Sequence, residues 1–359
     1  MEKKAKILFE CLHRADRSPS QRFRFEQYIA ALEDAGFQCT FSYLLNPSDD
    51  KHFYTPGNYF QKGRILLKSI WKRVREISGK KYDIVFVQRE AFMLGTAFFE
   101  KQFSKRSKVV FDFDDSIWIQ DVSDSNKSLS FLKNPDKTMD IIKAAERVFA
   151  GNRYLADYAL QWNTHVTIIP TTIDTDLYCP DNQKQGGAVC IGWSGSVTTL
   201  AHFKLSLGAL IRIKNKYGSK VEIKVIGDGS YVNEELGIKG LPWKMDTELD
   251  NLRKIDIGIM PLEDDEWSNG KCGLKGLQYM SLGIATIMSP VGVNKEIIQQ
   301  GENGFLATTE DEWVQKLSLL IDDTELRARI GIAGRRTVEK SYSVNAWKDI
   351  YIKEMNALL

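Results

Sequence analysis

The 359-residue chain has no run of about 18 apolar residues, which excludes a hydrophobic helix spanning a bilayer. Cysteine is sparse. Cys11, Cys39, Cys179, Cys190 and Cys272 are scattered, odd in number and without a Cys-x-x-Cys pair, so neither a disulfide framework nor a zinc site is indicated. His13, His52, His165 and His202 lie far apart and are assigned to no metal. Charge of one sign is lacking too: 49 Lys/Arg stand against 47 Asp/Glu, and a net +2 predicts no nucleic-acid binding. The first residues, Met1-Glu-Lys-Lys-Ala-Lys, have no signal-peptide apolar core, so a cytoplasmic protein is expected. A G-x-G-x-x-G fingerprint is missing after the first apolar run, where the loop reads Leu12-His-Arg-Ala-Asp-Arg-Ser-Pro-Ser20. Gly227-Asp-Gly229 has Val232 in place of the third glycine, which weakens an NAD-dependent oxidoreductase reading.

What is present is alternation. Lys6–Leu12, Phe37–Tyr43, Tyr82–Gln88, Lys108–Phe113, Arg147–Ala150 and Val166–Ile169 read as strands between helical patterns, the first helix running from Arg22 to Gly36. Pro170 to Gly187 reads as a linker. A second series follows, with strands at Val189–Trp193, Val221–Ile226, Ile255–Met260 and Ile284–Met288 and a helix from Leu200 to Tyr217. Such alternation predicts an α/β protein of two Rossmann-like domains with parallel sheets, facing each other across a cleft. Ligands of parallel sheets bind beyond the strands' carboxyl ends. Gln88-Arg89-Glu90, Asp112-Phe-Asp114-Asp115, Gly195-Ser196, Gly227-Asp228-Gly229 and Lys271–Lys275 all fall at such places.

The segment Ser268-Asn-Gly-Lys271-Cys272-Gly273-Leu-Lys275-Gly276-Leu-Gln278 reads as a glycine-rich loop entering a helix that stops at Gly283. Lysine at a helix start opposes the macrodipole, and a bound phosphate or diphosphate would resolve the conflict. The plain alternative is two solvated lysines on a surface turn. Gln61–Lys81 holds eight Lys/Arg and one Glu among Ile65, Leu66, Leu67, Ile70, Trp71, Val74 and Ile77. A basic amphipathic helix of this kind either rests on anionic lipid or packs on a sheet with a solvated basic face.

These segments resemble family 4 glycosyltransferases of the GT-B fold. Asp256-Ile-Gly-Ile-Met-Pro-Leu262, Gly270–Gly283, Ser289-Pro-Val-Gly-Val-Asn-Lys-Glu296 and Gly301-Glu-Asn-Gly-Phe-Leu306 are similar to donor-side motifs of that family. Phe111–Trp118 and Ile169–Asp174 resemble a bacterial subgroup. The resemblance implies an acceptor domain over 1–175, a nucleotide-sugar donor domain over 187–340, and a last helix, 341–359, packing back on the first domain. It implies a metal-independent transferase without a cofactor, retaining, that serves surface-polysaccharide or glycoconjugate assembly. Its partners would be a nucleotide sugar and a saccharide or lipid-linked acceptor; separately, the basic pattern of 61–81 offers peripheral contact to the inner face of the cell membrane. A non-catalytic nucleotide-sugar-binding protein is the alternative.

The sequence departs from the family at two glutamates spaced eight apart, where it has Gly270 and Gln278. An amide at 278 can still bond hydroxyls. The Arg and Lys that many members carry after the first strand of the second domain are absent from Gly192-Trp-Ser-Gly195-Ser196. Lys275 first and Lys271 second are expected to supply that charge, on one helical face if the turn forms there. Gly195 and Ser196 are expected to give backbone N–H groups, and Asp228, Trp243, Cys272, Gly273 and Gln278 to complete the donor site. Asp114 aligns with a histidine that meets the donor sugar, so it is assigned to sugar or acceptor binding, with a role as acceptor base. Asp115 would orient it, and helix capping is the plain alternative for both. Asp112-x-Asp114 as a metal motif is less attractive. Arg22, Gln88 and Arg89 are expected on the acceptor side, whereas Arg24 reads as a surface ion-pair residue.

Overall fold

The computed structural model describes residues 4–15, 17–55, 57–119, 134, 136–180 and 187–359. The chain divides into two compact units, Met1–Pro170 together with Lys348–Leu359, and Thr171–Trp347.

The first unit is built on β1 (Lys6–Cys11), β2 (Gln38–Tyr43), β3 (Ile84–Gln88), β4 (Lys108–Phe113), β5 (Arg147–Ala150) and β6 (Val166–Ile168). They form one parallel sheet in the order β2-β1-β3-β4-β5-β6. Ile84, Val85, Phe86 and Val87 are fully buried, as expected for a central strand covered on both faces. The strand order reverses between β1 and β3, the point beyond whose carboxyl ends sheets of this kind take their ligands.

The helix expected from Arg22 to Gly36 is broken. It comprises Pro19–Arg24, a tight turn at Glu26–Tyr28, and Ile29–Asp34, with Gly36 at φ +95° closing the segment. The break falls at Phe25, which is fully buried and stacks on Phe9 at 5.1 Å. Core packing of that ring overrides helical continuity. The helix Val344–Asn356 carries Tyr351, fully buried and stacked on Tyr28 at 4.3 Å, while Glu354 pairs with Arg147.

The second unit is built on β7 (Val189–Ser194), β8 (Val221–Gly227), β11 (Leu241–Pro242), β12 (Ile257–Met260), β13 (Ala285–Met288) and β14 (Phe305–Leu306), with the small hairpin β9 (Val232–Asn233) and β10 (Ile238–Lys239) beside them. The parallel order is β11-β8-β7-β12-β13-β14, and it reverses between β7 and β12. Ile191, Val225, Ile257, Ile259 and Ile287 fill its core with Leu210, Ile213, Leu317 and Leu320 from flanking helices. The helix expected over Leu200–Tyr217 is split into Leu200–Lys204 and Leu207–Tyr217, because Ser206 Oγ turns back to the Phe203 carbonyl at 2.7 Å.

The stretch expected as a linker is partly a built segment. Arg335 donates to the carbonyls of Thr175 and Tyr178, Arg253 donates to that of Cys179, and Ile173 bridges to Ser343. Residues 181–186 of that stretch lie outside the described residues.

Candidate functional site

At the β7 end of the second sheet the chain turns through Gly195-Ser196 into the short turn Val197–Thr199. A Cβ at Gly195 would come within 2.4 Å of the Trp193 ring and 2.6 Å of Thr199 Oγ1, so only glycine fits there. Its neighbour loop is equally close: Gly227 sits at φ +144°, and a Cβ there would stand 2.0 Å from the Gly195 carbonyl oxygen. The N–H groups expected to hold phosphate already have partners. Gly195 N donates to Ile226 O at 2.9 Å and Ser196 N to Thr199 Oγ1 at 3.0 Å, so an arriving anion would have to take them over. Asp228 accepts from the backbone N and Oγ of Ser230, at 2.8 and 2.6 Å, which is turn chemistry. The Ser230 bonds hold the Asp228 carboxyl below its ordinary range.

Across the switch point, the helix Leu274–Ser281 begins at Gly273, whose φ of +71° puts it in the left-handed region. A Cβ there would lie 2.4 Å from Ile297 Cδ1. The helix therefore starts after Lys271, whose N–H bonds back to Ser268 O at 3.0 Å as part of the preceding turn. This corrects the expectation of one helical face for the two lysines. Lys271 Nζ lies 4.6 Å over the Trp267 ring. Lys275 is in the first helical turn, with Nζ 4.8 Å over the Trp193 ring and 3.3 Å from Thr199 Oγ1. The aromatic face and hydroxyl offset part of the cation's conflict with the helix dipole. Cys272 is buried, with its thiol turned to the Gly270 carbonyl at 3.7 Å.

Gln278 is buried on the same helix. Its Nε2 donates to Glu248 Oε1 at 3.3 Å and to Tyr178 Oη at 3.4 Å. Glu248 Oε1 also accepts from Trp243 Nε1 at 2.9 Å, and Oε2 accepts from Tyr178 Oη at 2.8 Å. Trp243 and Gln278, assigned separately from sequence, are thus joined through Glu248 and Tyr178, which sequence reasoning missed. Glu248 falls in the first turn of the helix Met245–Arg253, where an acid reads as ordinary dipole compensation. Tyr178 falls within the expected linker.

In the first unit a second polar cluster forms at the ends of β3 and β4. Ser20 Oγ lies 2.6 Å from both Asp114 carboxylate oxygens and accepts from Gln88 Nε2 at 2.7 Å. Arg89 Nε donates to Asp114 Oδ1 at 2.9 Å, and its other arm reaches Asp115 Oδ2 at 3.4 Å. Arg89 holds φ +61°, uncommon for a residue with a side chain. Strain of this kind costs about 1–3 kcal/mol and clusters at functional sites. Here the surrounding bonds, including Arg89 N to Asp112 O at 2.8 Å, hold the conformation.

Burial by itself would raise the Asp114 carboxyl, but Arg89, Arg24 and the Ser20 bond bring it below its ordinary range. A carboxylate held so firmly as an anion is a weak proton acceptor, so the arrangement suits hydroxyl binding better than the expected base role. Arg22, on the helix Pro19–Arg24, stacks its guanidinium on Phe23 at 4.5 Å.

One expectation is corrected by burial. Arg24 is not at the surface: it and Asp112 are fully buried and paired, Nη2 to Oδ1 at 2.5 Å, and Arg24 also donates to the Ile169 carbonyl. Burial pushes the Asp112 carboxyl up to about 6, against the pull of Arg24. Asp112 is hydrogen-bonded by Arg24, and Asp114 by Ser20 and Arg89.

Residues 189–323 match the family model described as glycosyl transferases group 1. The sulfoquinovosyl transferase SQD2 of Arabidopsis thaliana is 33% identical over 133 residues, which are 34% of this chain and 25% of that protein. The match thus spans about a quarter of that curated relative. Sucrose-phosphate synthase from Thermosynechococcus elongatus superposes with a TM-score of 0.70 at 13% identity, covering 99% of this chain and 100% of that one. Anabaena HepE in complex with UDP-glucose superposes with a TM-score of 0.68 at 14% identity, again covering 99% and 100%. Two parallel six-stranded sheets with flanking helices, matched over nearly the whole chain, are the GT-B fold.

Proposed function

We propose that this chain is a glycosyltransferase that moves a sugar from a nucleotide-diphosphate sugar to an acceptor in surface-polysaccharide or glycoconjugate assembly, in the cytoplasm, with retention and without a metal or cofactor. The observation that carries the reading is Lys275. It stands in the first turn of a helix at the switch point of the second sheet, against Thr199 and Trp193 of the turn after β7. This turn and helix lie in the stretch that matches the glycosyltransferase model.

Breaking a glycosidic bond to a diphosphate leaves growing negative charge on the leaving group, and fixed donors on that charge lower the barrier. Lys275 and the Leu274–Ser281 N-terminus supply such donors, with Lys271 and the Gly195-Ser196 turn alongside. Trp243 borders the base, and Gln278, held by Glu248 and Tyr178, offers its amide to the ribose. Cys272 and Gly273 shape the loop, and Asp228 fixes its neighbour. In the first unit Asp114, Asp115, Gln88, Arg89 and Arg22 bind the acceptor. HepE, of the same fold, is a complex with UDP-glucose, which supports a nucleotide-sugar donor.

The test is calorimetry of the full chain with UDP-, GDP- and dTDP-sugars, followed by donor hydrolysis and transfer assays. Binding with turnover is expected for one base. Binding without turnover under any acceptor would make the chain a nucleotide-sugar-binding protein. Stabilisation by NAD alone would restore the oxidoreductase reading.

A further inference from the structure

The helix Tyr59–Ser78 has two dissimilar long faces. One is buried in the first unit: Lys62, Ile65, Ser69 and Arg73 turn inward, and Arg73 pairs with Glu10 of β1 and bonds Ser42 of β2. The other should by the usual pattern be polar, yet it is an apolar ridge. Phe60 is 84% exposed, Leu67 70% and Trp71 63%, with Ile70 and Val74 also open to solvent. Positions 60, 67, 71 and 74 recur at helical spacing, so they form one continuous stripe. Contiguous exposed apolar surface of this kind marks an interaction site.

Charge decides what that site accepts. Exposed Arg64, Lys68 and Arg75 line one edge of the stripe; Lys68 is paired with Asp49 of the helix Pro47–Phe53 at 2.7 Å, and Arg75 lies 5.4 Å over the Trp71 ring. The helix's one acid, Glu76, is turned away to Arg73 at 2.9 Å. A two-fold contact between copies of this chain would set Arg64 and Arg75 against their own counterparts, with Asp49, the acid beside that edge, already taken by Lys68. A bilayer with anionic headgroups matches every part: aliphatic side chains enter the acyl boundary, Trp71 sits at headgroup depth, and the cations meet lipid phosphate. No described helix is long and apolar enough to cross a membrane, so the helix would lie in the surface plane.

We propose that the outer face of Tyr59–Ser78 docks this protein on an anionic bilayer surface. This docking does not depend on the transferase reading, and its test needs no donor or acceptor. The full chain is sedimented with vesicles of phosphatidylglycerol and phosphatidylcholine, or of phosphatidylcholine alone. Wild type is expected to pellet with the anionic vesicles only. The combined variant Phe60→Ser, Leu67→Ser, Trp71→Ser should lose about tenfold or more in partitioning, since it removes the buried apolar area. The combined variant Arg64→Gln, Arg75→Gln should lose less and shed its salt dependence. All these side chains are exposed, and unchanged melting shows that the fold survives.

Failure of wild type to pellet, equal pelleting with neutral vesicles, or full binding by the serine variant overturns the proposal. So does a wild-type dimer that the serine variant converts to monomer, which would make the ridge a contact between copies.

Discussion

The Lys275 ammonium stands 4.8 Å over the Trp193 ring, bridging the helix that follows the glycine-rich loop and the first strand of the second sheet. Lys275→Ala is expected to lower kcat by roughly 10²–10³, the scale of one fixed donor on developing charge, with the fold intact. Lys271, placed over Trp267 ahead of the helix, should matter less, with a loss on the order of tenfold or below. Steady-state transfer assays on both variants check the order, and wild-type rates for Lys275→Ala would remove it from the chemistry.

Glu248 is the shared acceptor for Trp243, Tyr178 and Gln278. Glu248→Ala strands three donors in a buried place and should cost about 2–4 kcal/mol of stability. The urea midpoint of the full chain reads this. Nucleotide-sugar affinity should fall with it, because Gln278 and Trp243 lose their common anchor.

Removing one partner of the buried Arg24–Asp112 pair leaves an uncompensated charge. Arg24→Met or Asp112→Ala should each destabilise by about 3–5 kcal/mol, while the double change should recover much of that loss. A double-mutant cycle on thermal unfolding measures the recovery; additive losses would show that the two do not act as a pair.

Burial raises the Glu10 carboxyl from its ordinary 4.5 to about 8, with Arg73 opposing the shift. A carboxyl raised on folding contributes stability that is full below its unfolded value and is lost as pH rises through the folded one. Tm should therefore fall between pH 4.5 and about 8 from this group. Glu10→Gln should flatten that slope, and an unchanged slope would place the titration elsewhere.

Asp114 is held below the ordinary carboxylate range by Arg89, Arg24 and Ser20 against the upward push of burial. Asp114→Asn should cut acceptor kcat/KM about 10²-fold, mostly through KM, and leave the profile between about pH 5 and pH 8 unshifted. Loss of an acidic limb in that window would reinstate proton abstraction by this residue.

Much of the architecture was legible in the chain. The β4 and β5 spans match the expected strands residue for residue, because strands buried on both faces leave apolar runs such as Val109–Phe111 and Val148–Ala150. What was not legible depended on distance. The Glu248–Tyr178 bond joins positions 70 apart, and no local pattern announces it. Arg24 looks solvated beside Arg22, yet it finds Asp112 88 residues away. The split lysines follow from Gly273 adopting a left-handed conformation, which a glycine permits but does not require. The basic helix was recognised, but its period alone did not tell that the face carrying Lys62, Ile65, Ser69 and Arg73 would be buried and the apolar one left open.

The first unit is discontinuous: Tyr351, among the last residues, lies against Tyr28, Phe86 and Phe149 in its interior. The interior of this amino-terminal half is therefore complete only once Val344–Asn356 has been synthesised. A chain cut before Tyr351 would leave Tyr28, Phe86 and Phe149 without their partner ring and offer three aromatic side chains to chaperones and proteases.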